Sequence, residues 1–306
     1  MASENDPTAP HVPVQHVSLE NPASPPVRVL PPRRSPGWWL PSAVVGLALG
    51  LAISAYLLLP ARTNILLLGI DRRPGETNAS RTDTMILTTV QPSKPNVGML
   101  SIPRDLWVTL PNGDQNRINT AHFLAEAEAP GSGLEAAKRV VAENFGVTVD
   151  YAVRVDFDGL RRFVDALGGV EIDLPQAMSG YSAGQHVLNG RQALAFVRDR
   201  AGSDDFARMA RGQFFLEAVL KGLASPAALP HWPAAASALA GSLDGDVPFW
   251  LWPRLAFALA RVGPSGIDGR VISREMTTGF TTAGGAQVLA PDWQRINPVL
   301  RDMFDQ

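Results

Sequence analysis

The chain has 306 residues, 27 basic and 29 acidic side chains, a formal net charge of −2, and no cysteine. The near-neutral balance gives no global reason to bind nucleic acid, so any anion site has to be a local basic cluster. The lack of cysteine excludes disulfides, cysteine zinc sites and thiol nucleophiles, and the length admits one large domain or two small ones.

Residues 1–37 are rich in Pro, Ser and Ala and poor in large apolar side chains. Such a segment cannot bury enough surface to offset its ordering entropy and is expected to be a disordered tail. Trp38 to Leu59 then runs without a charge, long enough to cross a bilayer as a helix. Trp38, Trp39 and Tyr56 sit near its ends, where amphipathic rings favour the interface. A secretory signal peptide has a shorter apolar core and a small-residue cleavage site, and Tyr56-Leu57-Leu58-Leu59-Pro60-Ala61-Arg62 offers a poor one. A transmembrane helix over 38–60 is the expectation, with a buried soluble helix as the alternative. Arg28, Arg33 and Arg34 on its N-terminal side place the tail in the cytoplasm and residues 62–306 outside the cell membrane, as a single-pass protein.

Asn64 to Asp105 organises the rest of the chain. Ile65–Ile70, Thr84–Val90 and Val97–Ile102 are short apolar runs, as in strands covered on both faces. If the second returns antiparallel between the other two, Asp71, Arg81, Asp83, Arg104 and Asp105 gather at one sheet edge. Carboxylates are hard ligands for Mg²⁺, which keeps waters and substrate phosphates as its other ligands. Arginine offers a planar fork that matches phosphate oxygens. Turn residues and surface ion pairs at strand ends are the alternative reading of the same charges.

The remainder interleaves helix and strand signals, which gives an α/β class. Ser132-Gly133-Leu134-Glu135 fits a capping box, followed by a helix that Gly146 can close. Val149–Val155 alternates as a strand, and Phe157–Leu167 is helical up to Gly168-Gly169. Val170–Leu174 is a strand ended by Pro175. Asn189-Gly190 is a tight turn or a cap for Arg191–Val197, and Asp205 can cap a helix over 206–223. Residues 225–268 are expected to be mostly helical. Val271-Ile272 reads as a last strand and Pro291–Phe304 as a closing helix. No second linker is visible, so 62–306 reads as one domain.

A second charged stretch contains Arg198, Asp199, Arg200, Asp204, Asp205, Arg208 and Arg211. Arg208 and Arg211 are neighbours on a helix surface, and four arginines near a helix N-terminus suit a diphosphate. A solvated face whose arginines pair with its own aspartates is the alternative. Gly180-Tyr181-Ser182-Ala183-Gly184 matches the G-x-S-x-G nucleophile elbow, which needs a strand before the serine and a helix after it; a loop comes after it here instead. His186 and His231 have no natural setting as a base. His122 is a pocket residue or a packing residue.

In order, the chain reads N-I-L-L-L-G-I-D, R-T-D-T-M-I-L, S-I-P-R-D, R-I-N-T-A-H, D-A-L-G-G-V-E-I-D-L-P, L-N-G-R-Q-A-L-A-F-V-R-D-R and D-D-F-A-R-M-A-R. This succession is similar to the LytR–CpsA–Psr family of bacterial cell-envelope proteins, older descriptions of which use the label transcriptional regulator or attenuator. The resemblance implies a central mixed β-sheet flanked by helices, preceded by one N-terminal transmembrane helix. It implies an enzyme, a phosphotransferase that moves a glycopolymer such as teichoic acid from a polyprenyl-pyrophosphate-linked donor to peptidoglycan in cell-wall biogenesis. Carried over by motif, Asp71 and Asp83 hold Mg²⁺ (or Mn²⁺). Arg81, Arg104, Arg198, Arg200, Arg208 and Arg211 bind the pyrophosphate, and Asp105 orients Arg104. Asp83 or Asp105 is the candidate to take the acceptor hydroxyl's proton. Family members commonly carry glutamine after the last arginine; Gly212 stands there, which leaves Gln213 as the candidate to supply that contact.

The implied partners are the donor glycolipid, peptidoglycan and the membrane, with no nucleic acid and no obligate protein partner. A polyprenyl-pyrophosphate pyrophosphatase would use the same residues with water as acceptor. A non-enzymatic envelope regulator or lipid-binding protein is the alternative of a different class.

Overall fold

The computed structural model describes residues 39–58, 62–70, 82–91, 96–199, 204–240 and 243–304. The chain divides into two compact units, Met1–Ala48 and Leu49–Gln306. Helix α1 covers Trp39–Leu58 and carries no charged residue. In the first unit its Trp39, Val44, Val45 and Leu47 are exposed, and in the second so are Leu49, Leu51 and Ile53. Among the described residues no helix is long and apolar enough to cross a membrane, so the spanning role expected for 38–60 rests on the sequence alone.

The second unit is built on a mixed sheet. Its first three strands are β1 (Thr63–Ile70), β2 (Thr82–Gln91) and β3 (Asn96–Ser101). As expected, β2 runs antiparallel between β1 and β3. A small hairpin, β4 (Trp107–Thr109) and β5 (Gln115–Arg117), leads to α2 (Thr120–Glu128) and α3 (Gly133–Phe145). Strand β6 (Tyr151–Asp156) then joins β1 in parallel, and α4 (Phe157–Ala166) comes directly after it. The hairpin β7 (Val170–Leu174) and β8 (Gly184–Leu188) precedes α5 (Gly190–Arg198) and the long α6 (Asp205–Ala224). Next come α7 (Trp232–Ala240), a three-residue strand β9 (Leu243–Gly245), α8 (Trp252–Val262) and β10 (Ile267–Val271). The hairpin β11 (Thr277–Thr281) and β12 (Gln287–Pro291) and the closing α9 (Trp293–Phe304) complete the unit. The central sheet has the order β10-β3-β2-β1-β6-β9.

Both faces of this sheet are covered, which is why β1–β3 read as continuous apolar runs rather than alternating ones. On one face Leu66, Leu68, Met85, Leu87 and Leu100 meet Val140, Val141 and Phe145 of α3 and Ile296 and Leu300 of α9. On the other, Ile86, Val90, Val97 and Met99 meet Ala258 and Val262 of α8, with Leu216 and Leu220 of α6 against them. A further core joins α4, α5, α6 and β7 through Phe163, Ile172, Phe196 and Phe215.

Several local expectations hold. Gly146 closes α3 at a left-handed φ of 65°, and Asn189 forms a capping box with Gln192 at the start of α5. Two are corrected. Ser132 does not cap α3 through its side chain; its hydroxyl donates back to the carbonyls of Ala125 and Ala129, while the Glu126 carboxylate accepts from the Gly131 and Gly133 amides. The cap of α6 is Asp204, which accepts from Ala207 N, and Asp205 is already inside the helix. The hairpin β11–β12 and strand β9 lie where no strand is expected from the sequence. The Gly180–Gly184 stretch lies between β7 and β8, so Ser182 has no helix behind it. His186 Nε2 meets the Ser182 carbonyl at 2.8 Å, which disposes of the nucleophile elbow.

His122 is a packing residue: it is buried against Arg154 of β6, whose Nη1 lies 3.0 Å from His122 Nε2. Arg154 is itself buried, 3.7 Å from Glu126, and pairs with Asp244 of β9. Removing one partner of a buried ion pair leaves the other charge uncompensated, which is the costly case. Arg154→Met is therefore expected to lower unfolding stability by about 3 kcal/mol, read from a urea transition. Gly190 lets α5 lie against α4, since a Cβ there would collide with the Arg161 carbonyl oxygen. Gly190→Ala is expected to cost about 2 kcal/mol in the same measurement; a midpoint unchanged from wild type would contradict the close approach.

Candidate active site

Asp83 is the first residue of the site, and a bulge aims it. Gly69 pairs with Thr84 and Ile70 with Thr82, so Asp83 is the extra residue of β2 with no partner on β1. Bulges of this kind turn a side chain out of the ladder and occur next to functional sites. Gly69 allows the strands to approach: a Cβ there would sit 3.0 Å from Thr84 Cβ.

Arg104 lies just past β3, in a turn fixed by the Leu106 amide donating to the Pro103 carbonyl and the Asn119 amide to the Arg104 carbonyl. Its guanidinium meets three carboxylates. Nη1 donates to Asp83 Oδ1, Nη2 lies 3.2 Å from Asp205 Oδ1, and Nε lies 3.5 Å from Asp105 Oδ2. The other oxygen of Asp105 is held by Arg117 Nε at 3.0 Å. Burial works to lower the pKa of Arg104, but Asp205, then Asp83 and Asp105, outweigh it and hold the pKa above the usual arginine value. This guanidinium is a permanent cation, fixed from three sides.

The second cluster faces the first from α5 and α6. Arg208 Nη2 lies 2.5 Å from Asp205 Oδ1 and 3.5 Å from the Asp83 carbonyl oxygen. Arg198 ends α5 with its guanidinium carbon 4.6 Å from the centre of the Phe157 ring, a cation–π distance. Asp83, Ser101, Arg198 and Arg208 line a cleft of about 250 Å³, with Met85, Phe157, Val197 and Met209 supplying apolar wall. Two predicted arginines and one predicted carboxylate thus share one cleft, with Arg104 joined to it through Asp83.

Other predicted residues are placed differently. Arg211 is buried and donates to the Asp199 carbonyl, so it ties α6 to the segment after α5. Gln213 turns inward: its Oε1 accepts from Ser101 Oγ at 2.5 Å and its Nε2 donates to the Met99 carbonyl at 3.2 Å. It braces α6 on β3, with its amide engaged by Ser101 and Met99 in this structure. Gly212 does line the cleft, and a Cβ there would meet nothing within 4 Å; no crowding demands glycine. Arg198 is the last residue of helix α5. Asp71, Arg81 and Arg200 lie outside the described residues.

Two contacts of the site are not foreseen from the sequence, Asp205 with Arg104 and Arg117 with Asp105. Asp205 reads from the sequence as a cap or as a partner of its own stretch's arginines, and its contact with Arg104 is what escapes. Arg117 sits in R-I-N-T-A-H, where the histidine is the more conspicuous side chain.

Among the described residues no group of three or more His, Asp or Glu is arranged to hold a metal ion. Mg²⁺ needs only one or two carboxylates when phosphates supply other ligands. Asp83, exposed enough to be reached and lining the cleft, fits that donor chemistry.

Known proteins share this architecture. The crystal structure of Bacillus subtilis TagV superposes with a TM-score of 0.64 at 23% identity, over 80% of this chain and 97% of that one. A structure described as TagT bound to LI-WTA gives 0.63 at 22% identity, over 80% and 91%. In sequence, the polyisoprenyl-teichoic acid–peptidoglycan teichoic acid transferase TagU of Oceanobacillus iheyensis is 37% identical over 168 residues, 53% of this chain and 52% of that protein. The regulatory protein MsrR of Staphylococcus aureus is 28% identical over 195 residues, 61% of this chain and 57% of its own. The chain thus spans about half the length of these relatives. The LytR_cpsA_psr family model matches residues 60–298, which takes in every strand of the central sheet and both halves of the cleft, and the chain therefore belongs to the LytR–CpsA–Psr family.

Proposed function

We propose that the chain is a membrane-anchored phosphotransferase that moves a phosphoglycosyl polymer from a polyprenyl-pyrophosphate-linked donor to peptidoglycan. The observation that carries this reading is the gathering of Arg104 and Arg208 about Asp83 and Asp205, with Arg198 and Arg208 lining the same cleft as Asp83. Guanidinium forks bind phosphate oxygens bidentately, and several gathered together suit a diphosphate better than a single phosphate. The names of the TagU relatives point the same way for those proteins.

In this reading Arg104, Arg198 and Arg208 bind and orient the pyrophosphate, with Arg81 and Arg200 as further contacts inferred from the family motifs. Arg211 contributes by fixing α6 against the Asp199 carbonyl. Asp105, clamped between Arg104 and Arg117, sets the angle of the Arg104 fork. Asp83, with Asp71, would hold Mg²⁺ or Mn²⁺, which supplies neutralisation of charge on the phosphate oxygens when bound. An acceptor sugar hydroxyl oxygen bonds to the glycan-side phosphorus while its proton passes to Asp83 or Asp105, the bridging P–O bond breaks, and polyprenyl phosphate leaves. Such a transfer needs positioning and charge stabilisation rather than a covalent nucleophile. The uncharged α1 would anchor the chain in the cell membrane, with the N-terminus cytoplasmic and the cleft outside.

Arg104→Ala and Asp83→Ala are each expected to lower transfer by about 100-fold or more, while circular dichroism stays that of wild type. The measurement is transfer of a defined polyprenyl-pyrophosphate glycan to peptidoglycan, with and without Mg²⁺; activity within about twofold of wild type in either variant would refute the site. Release of polyprenyl phosphate without labelled peptidoglycan would replace transfer by hydrolysis. For the location, a periplasm-active phosphatase fused after residue 62 is expected to be active, and an inactive fusion beside an active cytoplasmic reporter would overturn the topology.

A further inference from the structure

Asp205 occupies a place that neither helix capping nor core packing explains. The cap of α6 is made by Asp204, which also pairs with Arg274. The Asp205 side chain is 28% exposed, so it is not a core residue. Yet its single oxygen Oδ1 meets both Arg104 Nη2, at 3.2 Å, and Arg208 Nη2, at 2.5 Å. Arg104 comes from the turn after β3 and Arg208 from the start of α6, so this one atom links two guanidinium groups from separate elements, both in contact with Asp83.

We propose that Asp205 is a positioning residue of the transfer site: it prearranges Arg104 and Arg208 and yields their N–H groups to the donor's phosphate oxygens. The inference rests on reading the cleft as a pyrophosphate site. The geometry has two effects with opposite consequences. The carboxylate competes with phosphate for the same N–H donors, so it weakens ground-state binding. It also holds the forks where charge develops in the transition state, and prearranged donors act there without reorganisation. A group that weakens binding and raises turnover acts differentially on the two states.

Asp205→Asn keeps the shape and removes the charge. With the full chain in detergent and Mg²⁺ present, calorimetry with inorganic pyrophosphate is expected to show binding about threefold tighter than wild type. The transfer kcat is expected to fall by about tenfold or more, and Asp205→Glu is expected to restore part of it. Asp204→Ala, which removes the cap of α6, is the stability control and is expected to lower the melting temperature with kcat unchanged. A merely structural role for Asp205 would weaken pyrophosphate binding together with kcat, and a mere competitor would tighten binding with kcat intact; either result overturns the proposal. If wild type binds pyrophosphate and Asp205→Asn matches it in both readouts, this inference alone fails. A wild-type chain that neither binds pyrophosphate nor transfers overturns the reading of the cleft as well.

Discussion

The site depends on one guanidinium held by three carboxylates. Arg104 contacts Asp83, Asp105 and Asp205, which come from the edge of β2, the turn after β3 and the start of α6. A cation so placed keeps its charge, and its pKa is held up by those same neighbours. In a partly buried setting such contacts are screened less than surface pairs, so the cluster fixes geometry where isolated ion pairs would not. The rest of the fold serves this node. The bulge opposite Gly69 turns out Asp83, Arg117 clamps Asp105, and Gln213 braces α6 against β3.

The same arrangement explains how an anion could be received. The carboxylates satisfy the arginines and also mark the positions that phosphate oxygens would take. Binding then exchanges one set of anionic oxygens for another instead of desolvating bare cations, which is the expensive alternative. The apolar wall of Met85, Phe157, Val197 and Met209 lowers the local dielectric and strengthens whatever charge interactions form there.

Much of this is legible in the sequence where the physics is local and repetitive. Three apolar runs with charged ends specify three neighbouring strands, and turn and cap residues such as Gly146 and Asn189 mark helix boundaries. What escapes is set by register and tertiary packing. That Asp83 is a bulge residue depends on which residue of β1 faces it, and sequence does not say. Asp204 and Asp205 are chemically identical neighbours, and only the fold decides which caps and which bridges. Gln213 points inward because Ser101 and Met99 offer partners there; helical spacing alone leaves its direction open. The β11–β12 hairpin, with its short threonine- and alanine-containing strands, has too weak a periodicity to stand out. Gly212 has open space beside it, so no crowding demands glycine there.

The central claim is that Arg104, Arg198 and Arg208 converge on a diphosphate. A crystal structure of the full chain with a non-hydrolysable polyprenyl diphosphate analogue and Mg²⁺ tests it most directly. Both phosphates are expected in the cleft beside Asp83, with Arg104 and Arg208 donating to their oxygens. A diphosphate bound elsewhere, or an Asp83–Arg104–Asp205 cluster untouched by it, would contradict the claim.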